Sequence, residues 1–194
     1  MVLMSKAYIV GIDEVGRGPL AGPVTLAYVA CPVYIYYKKN FINIRDSKKL
    51  SPRKREEWFG HIKNHPGLEY GVTSVGSKTI DKKGISKAVR IAISRLVSKL
   101  EFKPKMILLD GSLYAPPEFT QKTIIKGDEK IPIIAAASIM AKVTRDRKMV
   151  RLAKVYPKYG FEIHKGYGTK LHRDLISKHG LSKIHRRTFC AKLI

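Results

Sequence analysis

The run Ala7-Tyr-Ile-Val-Gly-Ile-Asp-Glu-Val-Gly-Arg-Gly18 sets the reading of the whole chain. Ala7 to Val10 are strand-forming residues, so the adjacent carboxylates Asp13 and Glu14 are expected where a buried strand gives way to a loop. Ligands gather at such strand ends in α/β proteins. Gly16 and Gly18 would let the backbone come close to a ligand, and Arg17 between them carries a forked cation suited to phosphate. A polar turn that happens to hold two acids accounts for the stretch about as well, so the rest of the chain has to decide.

Charge is the outlier of the composition. Thirty-eight Lys and Arg against 15 Asp and Glu leave a net charge of +23 at pH 7, which points to a polyanionic partner, nucleic acid before a membrane surface. With 44% hydrophobic and 27% charged residues in 194, the chain has the balance of a folded protein with a real core. The expectation is one unit over 1–194, with about 156–194 as a C-terminal extension. Cys31 and Cys190 have no metal-binding spacing and read as two reduced thiols, although spacing alone does not forbid their pairing. No secretory leader is recognisable before Asp13, and the longest apolar run, Ile131 to Ala141, is too short to cross a bilayer. A cytoplasmic protein without membrane contact is expected.

Along the chain, Pro23 to Val33 reads as a second strand, and Tyr34 to Tyr37 extends the β signal. Ser51-Pro52 marks a helix start that runs to about 61–64. Leu68 to Val75 is expected as a strand near a sheet edge. Ile85, Val89, Ile93, Leu96 and Val97 have helical spacing within an expected helix over 79–99. Lys105 to Leu109 forms a short buried strand that ends on Asp110-Gly111, and Gln121 to Lys126 another that ends on Gly127-Asp128. Pro132 opens a long helix with a small apolar face, and a further helix is expected over 170–178. Strands first, then strand and helix in alternation, give α/β with a mixed central sheet.

Asp13, Glu14, Asp110 and Asp128 therefore stand out as acids at strand ends or beside glycine. Strands that are parallel neighbours lie about 4.8 Å apart, close enough for Asp13 and Asp110 to share one or two hard cations. Magnesium or manganese in such a site supports phosphodiester hydrolysis. Taken singly, Asp110 is better read as a turn residue and Asp128 as a polar group at a helix start. Their joint occurrence in so basic a chain reverses that preference. Asp146 lies between arginines inside a helix and reads as a structural ion pair. The histidines at 164, 172, 179 and 185 lack zinc-site spacing and read as surface or hydrogen-bonded residues. Tyr167, between glycines, could present its ring to a sugar or base or be an ordinary buried tyrosine, and Lys48 and Lys49 could hold phosphates or be solvated charges.

Several of these pieces recur together in one family. Gly11 to Val24, Asp46-Ser-Lys-Lys-Leu-Ser51, Leu109-Asp-Gly111, Lys126-Gly-Asp128, Ala135 to Val143 and Tyr156 to Thr169 occur in an order and spacing that resembles the type 2 ribonucleases H, specifically bacterial ribonuclease HII. The resemblance implies a ribonuclease H-like fold, with a mixed sheet flanked by helices and a helical C-terminal region. It implies cleavage of RNA in RNA–DNA hybrids and 5′ to a single ribonucleotide in duplex DNA, with Mg2+ or Mn2+. By position, Asp13, Glu14, Asp110 and Asp128 would be the metal-binding catalytic set, Asp13 touching both cations. Gly16, Arg17 and Gly18 would sense the ribose 2′-OH, Tyr167 would stack on the adjoining deoxyribose, and Lys48 would bind a phosphate. The first motif begins too early for the N-terminal domain of ribonuclease HIII, and Phe189 to Ile194 does not resemble a sliding-clamp-binding tail. Val15 replaces a frequent alanine and Thr188 a common serine. A monomer without an obligate protein partner is expected. Two other functions compete: a nuclease of the same fold that cuts DNA lacking ribonucleotides, and a basic nucleic-acid-binding protein without activity.

Overall fold

The computed structural model describes residues 7–36, 44 and 50–193. Its centre is a five-stranded sheet in the order β3-β2-β1-β4-β5, made of β1 (Tyr8–Val15), β2 (Val24–Pro32), β3 (Glu69–Val75), β4 (Pro104–Asp110) and β5 (Gln121–Ile124). β1 pairs antiparallel with β2 and β2 with β3, whereas β1, β4 and β5 run parallel, so the sheet is mixed as expected. All nine residues of β2 are buried, because helices cover both faces of the sheet. β3 is the edge strand on that side.

Tyr8 of β1 pairs with Pro32, the last residue of β2, and among the described residues the ladder ends there, with only the Val33 N–H reaching the Ala7 carbonyl beyond it. Val33 to Tyr36 form a single helical turn, α1 (Val33–Tyr36), which corrects the β reading over 34–36, while Tyr37 lies outside the described residues. Intrinsic β preference has little force without a neighbouring strand. α2 (Pro52–Asn64) starts as expected, with Ser51 Oγ accepting from the backbone N–H of Lys54 and proline in the first turn.

The helix expected over 79–99 is two helices, α3 (Ser77–Lys83) and α4 (Ile85–Val97). Gly84, at φ +78°, closes one and opens the other, a conformation that other residues adopt at a cost. Val89, Ile93 and Leu96 of α4 pack with Val10, Ile12 and Leu26 on one face of the sheet. The other face is covered by α5 (Gly127–Lys130) and α6 (Pro132–Val155), whose residues Ile133 to Ala141 are all buried. α6 lies against β1 so closely that a Cβ on Gly11 would sit 2.5 Å from the Ile133 carbonyl oxygen.

Beyond α6 the chain forms a 3-10 turn, Pro157–Tyr159, and the helices α7 (Phe161–His164), α8 (Lys170–His179) and α9 (Arg187–Cys190). This C-terminal segment packs on the far half of α6, with Tyr159 and Phe161 against Ala21, Met149 and Ala153. It therefore brings its loops to the end of the sheet where β1 and β4 finish. Cys31 and Cys190 are both buried free thiols. No described helix is long and apolar enough to cross a membrane.

Candidate active site

The register of the parallel pair creates the acidic centre. β1 and β4 stay paired up to Ile12 and Leu109, so the next residues, Asp13 and Asp110, leave the ladder side by side. On its other edge β1 remains paired with β2 through Asp13, Glu14 and Val15. The two acids thus lie inside a strand rather than in the loop that the sequence suggested. This matters for rigidity, because a strand fixed on one edge holds a carboxylate better than a loop does.

Carboxylate oxygens of Asp13, Glu14 and Asp110 all lie within 4.8 Å of one another. Asp13 is 2% exposed. Burial, reinforced by the charge of Glu14, holds its carboxyl well above the ordinary carboxylate range, against the hydrogen bond offered by Ser138. Burial likewise raises Glu14, while Arg17, whose Nη1 is 3.3 Å from Glu14 Oε1, pulls it down. Glu14 Oε2 is buried with no hydrogen-bond partner among the described residues. Crowded, buried acidic oxygens of this kind fit a hard divalent cation, which would relieve both the repulsion and the missing partner.

Asp110 has a second connection. Its Oδ1 accepts from the backbone N–H of Gly127 at 2.6 Å and, more weakly, from that of Asp128 at 3.4 Å, tying the start of α5 to the end of β4. Asp128 is fully buried on that helix. Its backbone touches the acidic centre, but its carboxylate is not among the three that gather there.

The loop after β1 is held from behind. Arg186, fully buried, donates from Nη2 to the Gly16 carbonyl at 2.6 Å, from Nη1 to Arg17 at 2.7 Å and from Nε to Gly22 at 3.0 Å. Arg145, also fully buried, donates from Nε to the Pro23 carbonyl, from Nη2 to Ala21 and from Nη1 to Lys165. Gly16 has φ +88°, and a Cβ there would lie 2.3 Å from Arg145 Nε, so the glycine is required by the arginine behind it. Gly18 differs: it is exposed, and nothing lies within 4 Å of where its Cβ would be. With the loop carbonyls turned back onto arginines, its open side is left to a ligand.

Tyr167, 38% exposed, lies beside the same Arg145 that backs the loop. Arg145 and Lys142 lie 5.6 and 5.8 Å from its ring centroid. A cleft of about 360 Å³ is lined by Glu14, Val15, Arg55, Ser138, Ile139, Lys142 and Tyr167. One acid of the centre and the aromatic ring therefore share a cleft that also holds two cations. Lys48 falls outside the described residues. Asp146 is in an ion pair as expected, but with Lys142 at 3.0 Å rather than with its neighbouring arginines, because position i−4 shares its helix face and positions i±1 do not. His164, His172 and His185 are buried and hydrogen-bonded, not at the surface.

A mixed sheet that brings acids together at the ends of two adjacent parallel strands, with helices on both faces, defines the class of ribonuclease H-like nucleases. The ribonuclease H2 of Pyrococcus horikoshii OT3 has a similar structure, with a TM-score of 0.76 and 28% identity over 96% of each chain. Residues 10–192 match the family model for Ribonuclease HII. The Ribonuclease HII of Endomicrobium trichonymphae is 49% identical over 183 residues, which cover 93% of this chain and 84% of the relative. That of Caldicellulosiruptor bescii is 44% identical over 194 residues, 99% of this chain and 92% of the relative. The chain belongs to the ribonuclease HII family, and so is a divalent-metal-dependent endoribonuclease acting on RNA in RNA–DNA hybrids.

Proposed function

We propose that the protein incises duplex DNA 5′ to a single embedded ribonucleotide, as well as cutting RNA in hybrids, leaving 3′-OH and 5′-phosphate ends and so serving ribonucleotide removal in the cytoplasm. The observation that carries this reading is the shared cleft, in which Glu14 of the acidic centre and the Tyr167 ring face one substrate path beside Arg55 and Lys142. In this reading Asp13, Glu14, Asp110 and Asp128 hold Mg2+ or Mn2+. Two such ions would supply Lewis acidity that activates water and stabilises the leaving oxygen.

The chain's own residues do the selecting. The Gly16-Arg17-Gly18 backbone, its Gly16 and Arg17 carbonyls tied back to Arg186, offers short-range polar contacts to a 2′-OH, the group that separates RNA from DNA. The Tyr167 ring packs on the next sugar, where an extra hydroxyl would be crowded, so one contact demands ribose and the other prefers deoxyribose. Arg17, Arg55, Lys142 and Lys48 offset phosphate charge. The surplus of basic residues holds the duplex without regard to sequence, with affinity that falls steeply with salt. Residues 156–194 act as the substrate-binding extension of a single catalytic unit, and a monomer needs no protein partner for the reaction.

The test compares an RNA–DNA hybrid, a duplex with one ribonucleotide and an all-DNA duplex, for the wild type and Tyr167→Ala, in Mg2+, Mn2+ or EDTA. The wild type should cut the first two and spare the third, with all cutting lost in EDTA. Tyr167→Ala should lose about 10-fold more on the single ribonucleotide than on the hybrid. Equal losses on both would remove the junction reading while leaving the acidic centre in place.

A further inference from the structure

Three buried histidines lie behind Tyr167, and their hydrogen bonds admit one arrangement of protons. The backbone N–H of Ser182 donates to His185 Nδ1 at 2.8 Å, which leaves the His185 proton on Nε2. That nitrogen is 3.1 Å from His172 Nε2, which must then accept, so the His172 proton is on Nδ1. His172 Nδ1 donates to the Tyr167 carbonyl at 2.9 Å. His164 stacks on His172, with ring centres 4.1 Å apart. It accepts at Nδ1 from the Gly166 N–H and donates from Nε2 to the Tyr159 carbonyl. Every ring nitrogen is used, and all three rings are neutral.

The far end of this relay is the arginine clamp. The residue after His185 is Arg186, whose backbone N–H donates to Leu20 at 2.7 Å and whose guanidinium holds the carbonyls of Gly16, Arg17 and Gly22. Ala21 forms a β-bridge with His185. The Gly166 carbonyl, one residue before Tyr167, accepts from the Leu20 N–H at 2.8 Å. A Cβ on Gly166 would meet the Ala21 carbonyl oxygen at 2.5 Å. The Tyr167 segment and the glycine loop are therefore joined through a buried polar path rather than through solvent.

We propose that His172 and His185 are positioning residues that lock the Tyr167 segment to the Gly16–Gly22 loop, so that the two contacts selecting an RNA–DNA junction move as one unit. A buried polar chain adds little net stability over an apolar replacement, whereas it fixes geometry, and that is the property junction selection needs. Burial lowers His172 and His185 to about 4 and His164 below its ordinary value, which keeps the relay neutral at pH 7.

The proposal rests on Tyr167 and the Gly16–Gly18 loop reading the junction, and its test separates the two ideas. His172→Leu, His172→Asn and His172→Gln are compared with the wild type by kcat/KM on the single-ribonucleotide duplex and on the hybrid, with melting temperature recorded for each. Leucine removes both bonds, asparagine restores a donor near the Nδ1 position, and glutamine restores contact only near Nε2. The ratio of junction to hybrid cleavage should fall about 10-fold for leucine and stay low for either amide, since each restores only one of the two bonds that join Tyr167 to His185. An unchanged ratio in leucine, or full recovery with either amide, would overturn the proposal. Imidazole 15N shifts of the wild type give a check that needs no variant: protons on Nδ1 of His172 and on Nε2 of His164 and His185 are expected, and any other set overturns the relay. A wild type that fails to cut at a single ribonucleotide would instead refute the junction reading and leave the tautomers standing.

Discussion

At the end of β1, Asp13 is buried and Glu14 partly buried beside Asp110, both carboxyls raised above their ordinary values, with Glu14 Oε2 lacking a hydrogen-bond partner among the described residues. Behind the loop that follows β1, Arg145 and Arg186 are at least as buried, yet each spends its guanidinium on three backbone carbonyls, and the histidines beside them use every ring nitrogen. Both regions place costly polar groups in the interior. Only one of them is satisfied by the protein itself. The difference separates roles: the satisfied region holds a loop and a ring in place, and the unsatisfied region waits for a ligand of opposite charge.

Neutralising one acid should give the largest effect. Asp13→Asn should lower hybrid cleavage in Mg2+ on the order of 10³-fold while raising the melting temperature in EDTA, since it removes a repelled, desolvated charge. Added Mg2+ should stabilise the wild type and not the variant. A variant that loses stability along with activity would mean that the acidic region is as satisfied as the arginine region.

The arginine side should respond in the opposite sense. Arg186→Met leaves the Gly16, Arg17 and Gly22 carbonyls without their donor, and should cost about 3–5 kcal/mol in urea unfolding, whatever the metal concentration.

The two regions should also oppose each other in pH. His172 and His185 are lowered from 6.5 to about 4, so the unfolded chain takes up protons first as pH falls. Their contribution is complete above pH 6.5 and is lost as pH falls toward 4. Because the rings share one bond, a single proton breaks it, and the loss should be about 3 kcal/mol. Asp13 and Glu14, being raised, run the other way: their contribution is present at low pH and lost as pH rises through their folded values. In EDTA, urea midpoints between pH 4 and 7 should therefore rise more steeply with pH in Asp13→Asn than in the wild type.

The smallest contrast lies within the glycine loop. Gly16→Ala meets Arg145 at a positive φ and should cost about 2 kcal/mol, whereas Gly18→Ala enters open space and should leave the melting temperature within a degree or so. Any loss of activity in Gly18→Ala would then be due to substrate.

What the sequence made legible was local. The Ser51-Pro52 helix start, the strand ending on Asp110 and the long helix opened by Pro132 all rest on short-range chemistry, and all are present. Gly84 was visible as a glycine, but the apolar spacing on either side of it concealed a break that depends on its φ of +78°. Arg145 and Arg186 could not be singled out, because their partners lie 122 and 170 residues away along the chain. A lone arginine among 38 basic residues carries no mark of burial. The same holds for the histidines, whose relay joins residues from α8 and the segment before α9. Asp146 with Lys142 was within reach of the i, i+4 rule.

Mapping the ends left on a DNA duplex with one ribonucleotide tests the central claim most directly. In Mg2+ a single nick immediately 5′ to the ribonucleotide is expected, with a 3′-OH on the DNA side and a 5′-phosphate on the ribonucleotide, and none in EDTA. A nick on the 3′ side of the ribonucleotide, or one that survives EDTA, would contradict the account.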